Sequence, residues 1–237
     1  MTKIKNLLFD LDGTLIALDE KKAQIDFLIR AIFWAKFQKN PIRIFSALKV
    51  CKNTMRYDNS CDFIYNKAVR AFANEMALEP HVCEVLLNLF VQTHFPKLKK
   101  YFSIICDAIN FIEWSKNKFN LYLATNPFWT SDIVNLRLSW IGLDTTAFKY
   151  HSHSKNMKYS KHSKLFFDEF LLNNNLLANE CLMIGNKPEL DGLAAQSGLK
   201  VFILKNKKFI DHFLVREQKN FLYQEGNYQE LKSYLER

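Results

Sequence analysis

Ile4-Lys5-Asn6-Leu7-Leu8-Phe9-Asp10-Leu11-Asp12-Gly13-Thr14-Leu15 is the stretch from which the fold is read. Ile4 to Phe9 has the apolar run of a short buried strand. Asp10 bounds it, and Asp12-Gly13 is a turn signal. On an ideal strand, side chains two apart share a face only while the strand continues. The turn after Phe9 must therefore redirect Asp12 relative to Asp10.

Moving outward, the pattern from about Leu18 to Phe102 is helical, with no convincing strand. Ile25, Leu28, Ile29, Ile32 and Phe33 recur at helix spacing, and Pro41 starts a new segment. Asp58 or Ser60 is expected to cap a helix carrying Phe63, Ile64, Ala68, Ala71 and Phe72, and His81 to Val91 forms another. After Asp107 the chain alternates. Helices are expected over Ala108–Asn117, Ser131–Ile141, Lys164–Leu172 and Leu190–Ser197, with Gly142 and Gly198 as stops. Strands are expected over Leu121–Thr125, Ala147–Tyr150, Cys181–Ile184 and Val201–Leu204. Such alternation predicts an α/β fold: a doubly wound parallel sheet covered on both faces, with the helical block inserted after the first strand.

Ligands of such sheets bind beyond the carboxyl ends of the strands. Those ends hold Asp10-Leu11-Asp12-Gly13-Thr14, then Thr125-Asn126, then Gly185-Asn186-Lys187-Pro188-Glu189-Leu190-Asp191. Between the last two lies a basic run of Lys155, Lys158, Lys161 and Lys164. Singly, each has a bland reading as a turn, a cap or a solvated face. In this order on successive strand ends, they converge on one rim of carboxylates, a hydroxyl, an amide and an amine.

These residues resemble the haloacid dehalogenase-like (HAD) superfamily. Phe9 to Leu15 is similar to its first motif, a D-x-D-G-T-L after an apolar strand, which is highly specific. Thr125-Asn126 resembles the second motif and Lys161 the third, with Lys158 and Lys164 as rivals. The step from Lys161 to Gly185 (185 − 161 = 24 residues) suits the family's spacing. Met183 to Leu204 resembles the fourth motif together with its helix and strand. The likeness implies a Rossmann-like core, residues 1–15 and 103–237, with an all-helical cap, 16–102.

The resemblance also implies a chemistry: hydrolysis of a small phosphate monoester through an aspartyl-phosphate. Asp10, a carboxylate with a reference pKa of about 3.9, would attack phosphorus. Asp12 would donate a proton to the leaving oxygen and later take one from water. Gly13, Thr125, Asn126 and Lys161 would hold phosphoryl oxygens, with Lys161 offsetting their charge. Mg²⁺ would be held by Asp10, the Asp12 carbonyl, Asp191 and Asn186. The fourth motif departs from the pattern, which usually has two acids about four or five residues apart. Asp191 is present, but Lys187 stands four residues before it and Asn186 five. An ammonium about 5 Å from Mg²⁺ would cost on the order of 6–7 kcal/mol at an effective dielectric of about 20. Lys187 either weakens the metal in this way or swings outward, toward Glu189 or a substrate phosphate.

Composition sets the remaining bounds. With 237 residues, 49% hydrophobic, and only 6 Gly and 5 Pro, the chain has enough apolar mass for a sizeable core. Thirty-three basic and 24 acidic residues give a net charge of +9, which suits an anionic partner or a solvated surface. Cys51, Cys61, Cys83, Cys106 and Cys181 form no C-x-x-C pair, which points to a reducing compartment. No signal peptide or membrane span is read, so a cytoplasmic protein is expected. His151, His153 and His162 are expected in an exposed loop. Trp34, Phe33 and Phe37, beside Lys36, Lys39 and Arg43, are read as a cap helix packed through its aromatics, not as a nucleic-acid or lipid surface. Phosphomutase and dehalogenase chemistry remain alternatives within the same fold. A phosphate-ligand or protein-binding module, motivated by Lys187, is another reading, and a nucleic-acid binder rests only on the charge.

Overall fold

The computed structural model describes residues 3–34, 37, 40–205 and 223–237. At its centre lies β1 (Asn6–Phe9), four residues buried throughout. It pairs in parallel with β4 (Asn120–Leu123) on one side and β5 (Cys181–Gly185) on the other. Beyond β5 come β6 (Lys200–Leu204) and β7 (Gln224–Gly226), both parallel, which completes the order β4-β1-β5-β6-β7. The two sides of β1 feed different layers, as alternation along a strand requires. Leu7 and Phe9 pack with α5 (Cys106–Ser115), α6 (Ser131–Ser139) and α9 (Tyr228–Leu235). Leu8 packs with Met183 and with Phe166, Phe167 and Phe170 of α7 (Leu165–Asn173). The sheet is therefore doubly wound, as the alternation predicts.

Between β1 and α5 stand four helices: α1 (Glu20–Ile32), α2 (Pro41–Tyr57), α3 (Ile64–Met76) and α4 (Pro80–His94). Asp19 caps α1 through the Lys22 N–H, and Asn40 caps α2 through the Arg43 N–H. Their shared core is aromatic: Phe37, Phe72 and Phe90 are buried, and the Trp34 ring lies 4.7 Å from Phe37 and 5.2 Å from Phe90. Arg43 is spent on the Glu75 carbonyl, 2.6 Å from its Nε. The aromatics thus turn mainly inward, although Phe33 remains exposed. Lys36 and Lys39 lie outside the described residues.

Several local expectations are corrected. Strand β2 (Ile16–Leu18) and strand β3 (Phe102–Ile104) form an antiparallel ribbon where the chain enters and leaves the helical block. Neither is long enough to show a period in the sequence, and the same holds for β7. Ala147–Tyr150 is not a strand: Asp144 accepts the Thr146 N–H at 2.8 Å and winds Thr145–Ala147 into a 3₁₀ turn. The chain then runs beside β4 with single bonds from Lys149 and Ser152, leaving one isolated bridge at His151. The helix expected at Leu190–Ser197 divides into α8 (Pro188–Asp191) and a 3₁₀ turn, Gly192–Ser197, stopped by Gly198 at φ +84°. Neither Asp58 nor Ser60 caps α3. Asp58 accepts the Ser60 N–H within the loop, and Phe63 occupies the cap position. Among the described residues no helix is long and apolar enough to cross a membrane.

Candidate functional site

The first strand delivers Asp10 at its carboxyl end, where the chain turns tightly. The Leu11 carbonyl accepts the N–H groups of Thr14, Leu15 and Ile16 at 2.9–3.2 Å, and Gly13 donates to Ile16 at 2.7 Å. Gly13 sits at φ +85°, a left-handed conformation that favours glycine. A Cβ there would also collide with the Asn186 side-chain amide. The turn sends Asp12 away to α6, where its Oδ2 accepts from Arg137 Nη1 at 2.6 Å. The second oxygen, Oδ1, is buried and without a hydrogen-bond partner.

Lys161, buried to 1% exposure, lies in the turn before α7 and reaches back across the rim. Its Nζ donates to Asp10 Oδ1 at 2.8 Å and ion-pairs with Asp191 Oδ1. Of the rival lysines, Lys164 pairs along α7 with Asp168 at 3.2 Å, and Lys158 is held by its main chain, its carbonyl accepting from Lys67 and its N–H donating to Glu169. Burial works against the Lys161 charge, but Asp10 and Asp191 outweigh it and hold the ammonium above its ordinary pKa. Burial pushes the Asp10 carboxyl up; Lys161 opposes that shift and the neighbouring Asp191 adds to it. When all three are ionised, the trio retains a net negative charge, which suits a bound cation.

The fourth-motif loop is held by Asp191 itself. Asp191 Oδ2 accepts the backbone N–H groups of Asn186 and Lys187, each at 2.9 Å. Gly185 makes this close approach feasible, because a Cβ there would occupy the space of the Asp191 carboxylate. Asn186 Oδ1 is buried with no hydrogen-bond partner. An orphaned oxygen beside a net negative cluster is the donor type a hard cation takes, so the residues fit an oxygen-liganded metal. Among the described residues no group of three acids, histidines or cysteines is placed to hold a metal by side chains alone, and the fourth motif offers an amide, Asn186, beside its single acid.

Lys187 swings outward and pairs with Glu20 in place of the Glu189 expected for it. Its Nζ points outward to Glu20, at the start of α1, 2.9 Å away. Burial disfavours its charge, but Glu20 outweighs that and holds its pKa above the ordinary lysine value. Asp10 and Asp12 add to the pull on this ammonium, so Lys187 still acts on the carboxylates of the rim.

Thr125, just past β4, is buried, and its carbonyl accepts from Ser152 Oγ at 2.6 Å. Asn126 Oδ1 accepts the Lys161 N–H at 3.3 Å, so the second-motif amide orients the third-motif lysine. Two residues here escaped sequence reading, Arg137 and Glu20. A signal for Arg137 existed: it shares the buried face of α6 with Ile133, Val134 and Leu138, where a charge is out of pattern. The histidines are not in an exposed loop. His151 Nε2 lies 2.7 Å from Ser131 Oγ, and burial lowers His153 and His162 each to about 4.

No protein-family model matches the chain, and no curated protein matches it. Solved structures do. A 2-haloacid dehalogenase from Pseudomonas syringae pv. tomato superposes with a TM-score of 0.65 at 18% identity, over 99% of each chain. A HAD phosphatase from Thermococcus onnurineus gives 0.62 at 17% identity, over 98% of each. A HAD-family enzyme from Bacteroides thetaiotaomicron, in complex with magnesium and inorganic phosphate, gives 0.53 at 17% identity, over 89% of this chain and 99% of its own. At these identities the likeness defines architecture. The chain carries the fold of the haloacid dehalogenase-like superfamily, a Rossmann-like core of parallel strands with a helical cap.

Proposed function

We propose that this protein is a phosphoric monoester hydrolase acting on a small phosphorylated metabolite, with residues 1–15 and 103–237 as catalytic core and 16–102 as cap. The observation that carries the reading is Lys161 bridging buried Asp10 and Asp191 beside Asp12 at the carboxyl ends of β1 and β5. Lys161 holds one Asp10 oxygen and leaves the other to attack phosphorus. As the new oxygen–phosphorus bond forms, the bond to the leaving oxygen breaks, and Asp12 Oδ1 supplies the proton that oxygen needs. Asp12 then takes a proton from water, which attacks the phosphorus, releases inorganic phosphate and returns Asp10. Gly13, Thr125 and Asn126 shape the phosphoryl pocket, with Lys161 offsetting its charge. Mg²⁺ would be held by Asp10, the Asp12 carbonyl, Asn186 and Asp191, and when bound it would neutralise charge on the phosphoryl oxygens.

A hydroxyl leaving group needs a proton and a halide does not, so Asp12 favours phosphoryl transfer over dehalogenation. The single fourth-motif acid favours a second reading, a phosphate-ligand module without turnover. The two separate on p-nitrophenyl phosphate. Hydrolysis stimulated by Mg²⁺ and abolished in Asp10→Asn supports the enzyme. Absence of turnover across a broad panel of phosphate esters, with phosphate still bound, supports the module.

A further inference from the structure

The cap face above the candidate site carries more positive charge than its partners neutralise. The last turns of α2 present Lys52 and Arg56, both half-buried. This end of α2 rests directly on the core loop that holds Lys161: Ser160 Oγ donates to the Arg56 carbonyl at 2.8 Å, and the Tyr57 and His162 rings lie 5.6 Å apart. Lys187 reaches Glu20, the carboxylate that Lys52 and Arg56 also act on, from the core side. A single carboxylate, Glu20, faces all three cations. Burial alone would raise the Glu20 carboxyl, but Lys187, Lys52 and Arg56 hold it below the usual glutamate range.

Arg56 is the least satisfied of the three. It forms no ion pair among the described residues, and its Nε is buried without a hydrogen-bond partner. A buried guanidinium donor left unpaired is costly, and a ligand anion would remove that cost. Next to it, Lys52 is held below the ordinary lysine pKa by burial and by Arg56. Such crowding of like charges is relieved by an incoming anion. Glu20 sits on Lys187 as a displaceable occupant: its side chain is 51% exposed, and Gln24, one turn along α1, donates to its other oxygen at 2.8 Å and can hold it off Lys187.

We propose that Lys52, Arg56 and Lys187 form a second anion subsite beside the phosphoryl site, and that the natural substrate is a phosphate ester whose leaving group carries another anionic group. The inference rests on the phosphate-ester reading of Asp10 and Lys161, and it names the class of substrate. On binding, the second anion takes the place of Glu20 at Lys187 and pairs with Arg56.

Three non-hydrolysable probes of equal chain length test it by calorimetry at fixed Mg²⁺: propylphosphonate, 3-phosphonopropionate and 1,3-propanediphosphonate. At least one doubly anionic probe should bind about tenfold or more tighter than propylphosphonate, a difference of about 1.4 kcal/mol. The tail that gains shows whether the subsite takes carboxylate or phosphate. Arg56→Gln should erase most of that advantage. Glu20→Gln, which removes the competing carboxylate, should instead strengthen binding of the doubly anionic probe several-fold, a gain that misfolding cannot produce. Equal binding of all three probes, or weaker binding in Glu20→Gln, would overturn the subsite. Because these probes are not turned over, they read the subsite separately from catalysis. Failure to hydrolyse p-nitrophenyl phosphate would count against the hydrolase and leave this result standing.

Discussion

Under the proposed mechanism, Arg137 is a positioning residue that would act through Asp12 without touching the reacting atoms. It is buried to 1% exposure on α6, and its only described partner is Asp12, 125 residues away in sequence. Nε and Nη2 have no hydrogen-bond partners. Such a buried charge adds little net stability, since desolvation consumes most of the Coulombic gain. It pins one Asp12 oxygen and leaves the other unpartnered, which in the proposed mechanism would serve proton transfer. Arg137→Met keeps the volume and removes the pin. We expect kcat on p-nitrophenyl phosphate to fall about tenfold to hundredfold with KM little changed, because a misplaced general acid costs rate and not binding. A proportional rise in KM with kcat intact would show that Arg137 serves binding instead.

At the scale of elements, the helical block is tied to the core by main-chain contacts that α3 and one lysine organise. The Ile64 and Tyr65 N–H groups at the start of α3 donate to the Met157 and Ser154 carbonyls at 3.0 and 2.8 Å. Lys67, one turn on and buried to 2% exposure, gives its ammonium to the carbonyls of Asp58, Ser60 and Lys158. Lys67→Met leaves those carbonyls without a charged donor, so folding stability should fall by about 2–3 kcal/mol, read from the urea midpoint. A change within about 0.5 kcal/mol would mean that water replaces the ammonium at no cost. The elements themselves were legible in unequal measure. β1, β4, β5 and β6 announce themselves as apolar runs because both faces are buried, while β2, β3 and β7 are three residues each and carry no readable period. The site is legible where a motif residue follows a strand end, as with Asp10 after β1, or stands at a characteristic spacing, as with Lys161 and Asp191. It is silent where pairing depends on the folded path, as with Lys187 and Glu20, 167 residues apart.

On the scale of the whole molecule, the half-buried histidines make stability depend on pH. Burial lowers His153 and His162 each to about 4 in the folded state. In the unfolded chain an imidazole titrates near 6.5, so between about pH 6.5 and 4 the unfolded state binds more protons than the native one. Stability should therefore be level above pH 6.5 and fall as pH drops toward 4. The double variant His153→Asn, His162→Asn should flatten the urea midpoint between pH 6.5 and 5. An unchanged slope would place the proton uptake elsewhere. The doubly wound sheet, by contrast, was readable from the alternation after Asp107 alone, since buried parallel strands and amphipathic helices impose different periods on the same chain. The +9 charge remains ambiguous at this scale and becomes interpretable only locally, where Lys52, Arg56 and Lys187 all act on Glu20.

Catalysis through Asp10 requires that its carboxylate become phosphorylated during turnover. Rapid acid quenching of the protein with radiolabelled substrate and Mg²⁺, then peptide mapping, reads this directly. We expect a hydroxylamine-labile label on the peptide containing Asp10, absent from Asp10→Asn. Phosphate release with no protein-bound label, or undiminished turnover in Asp10→Asn, would contradict it.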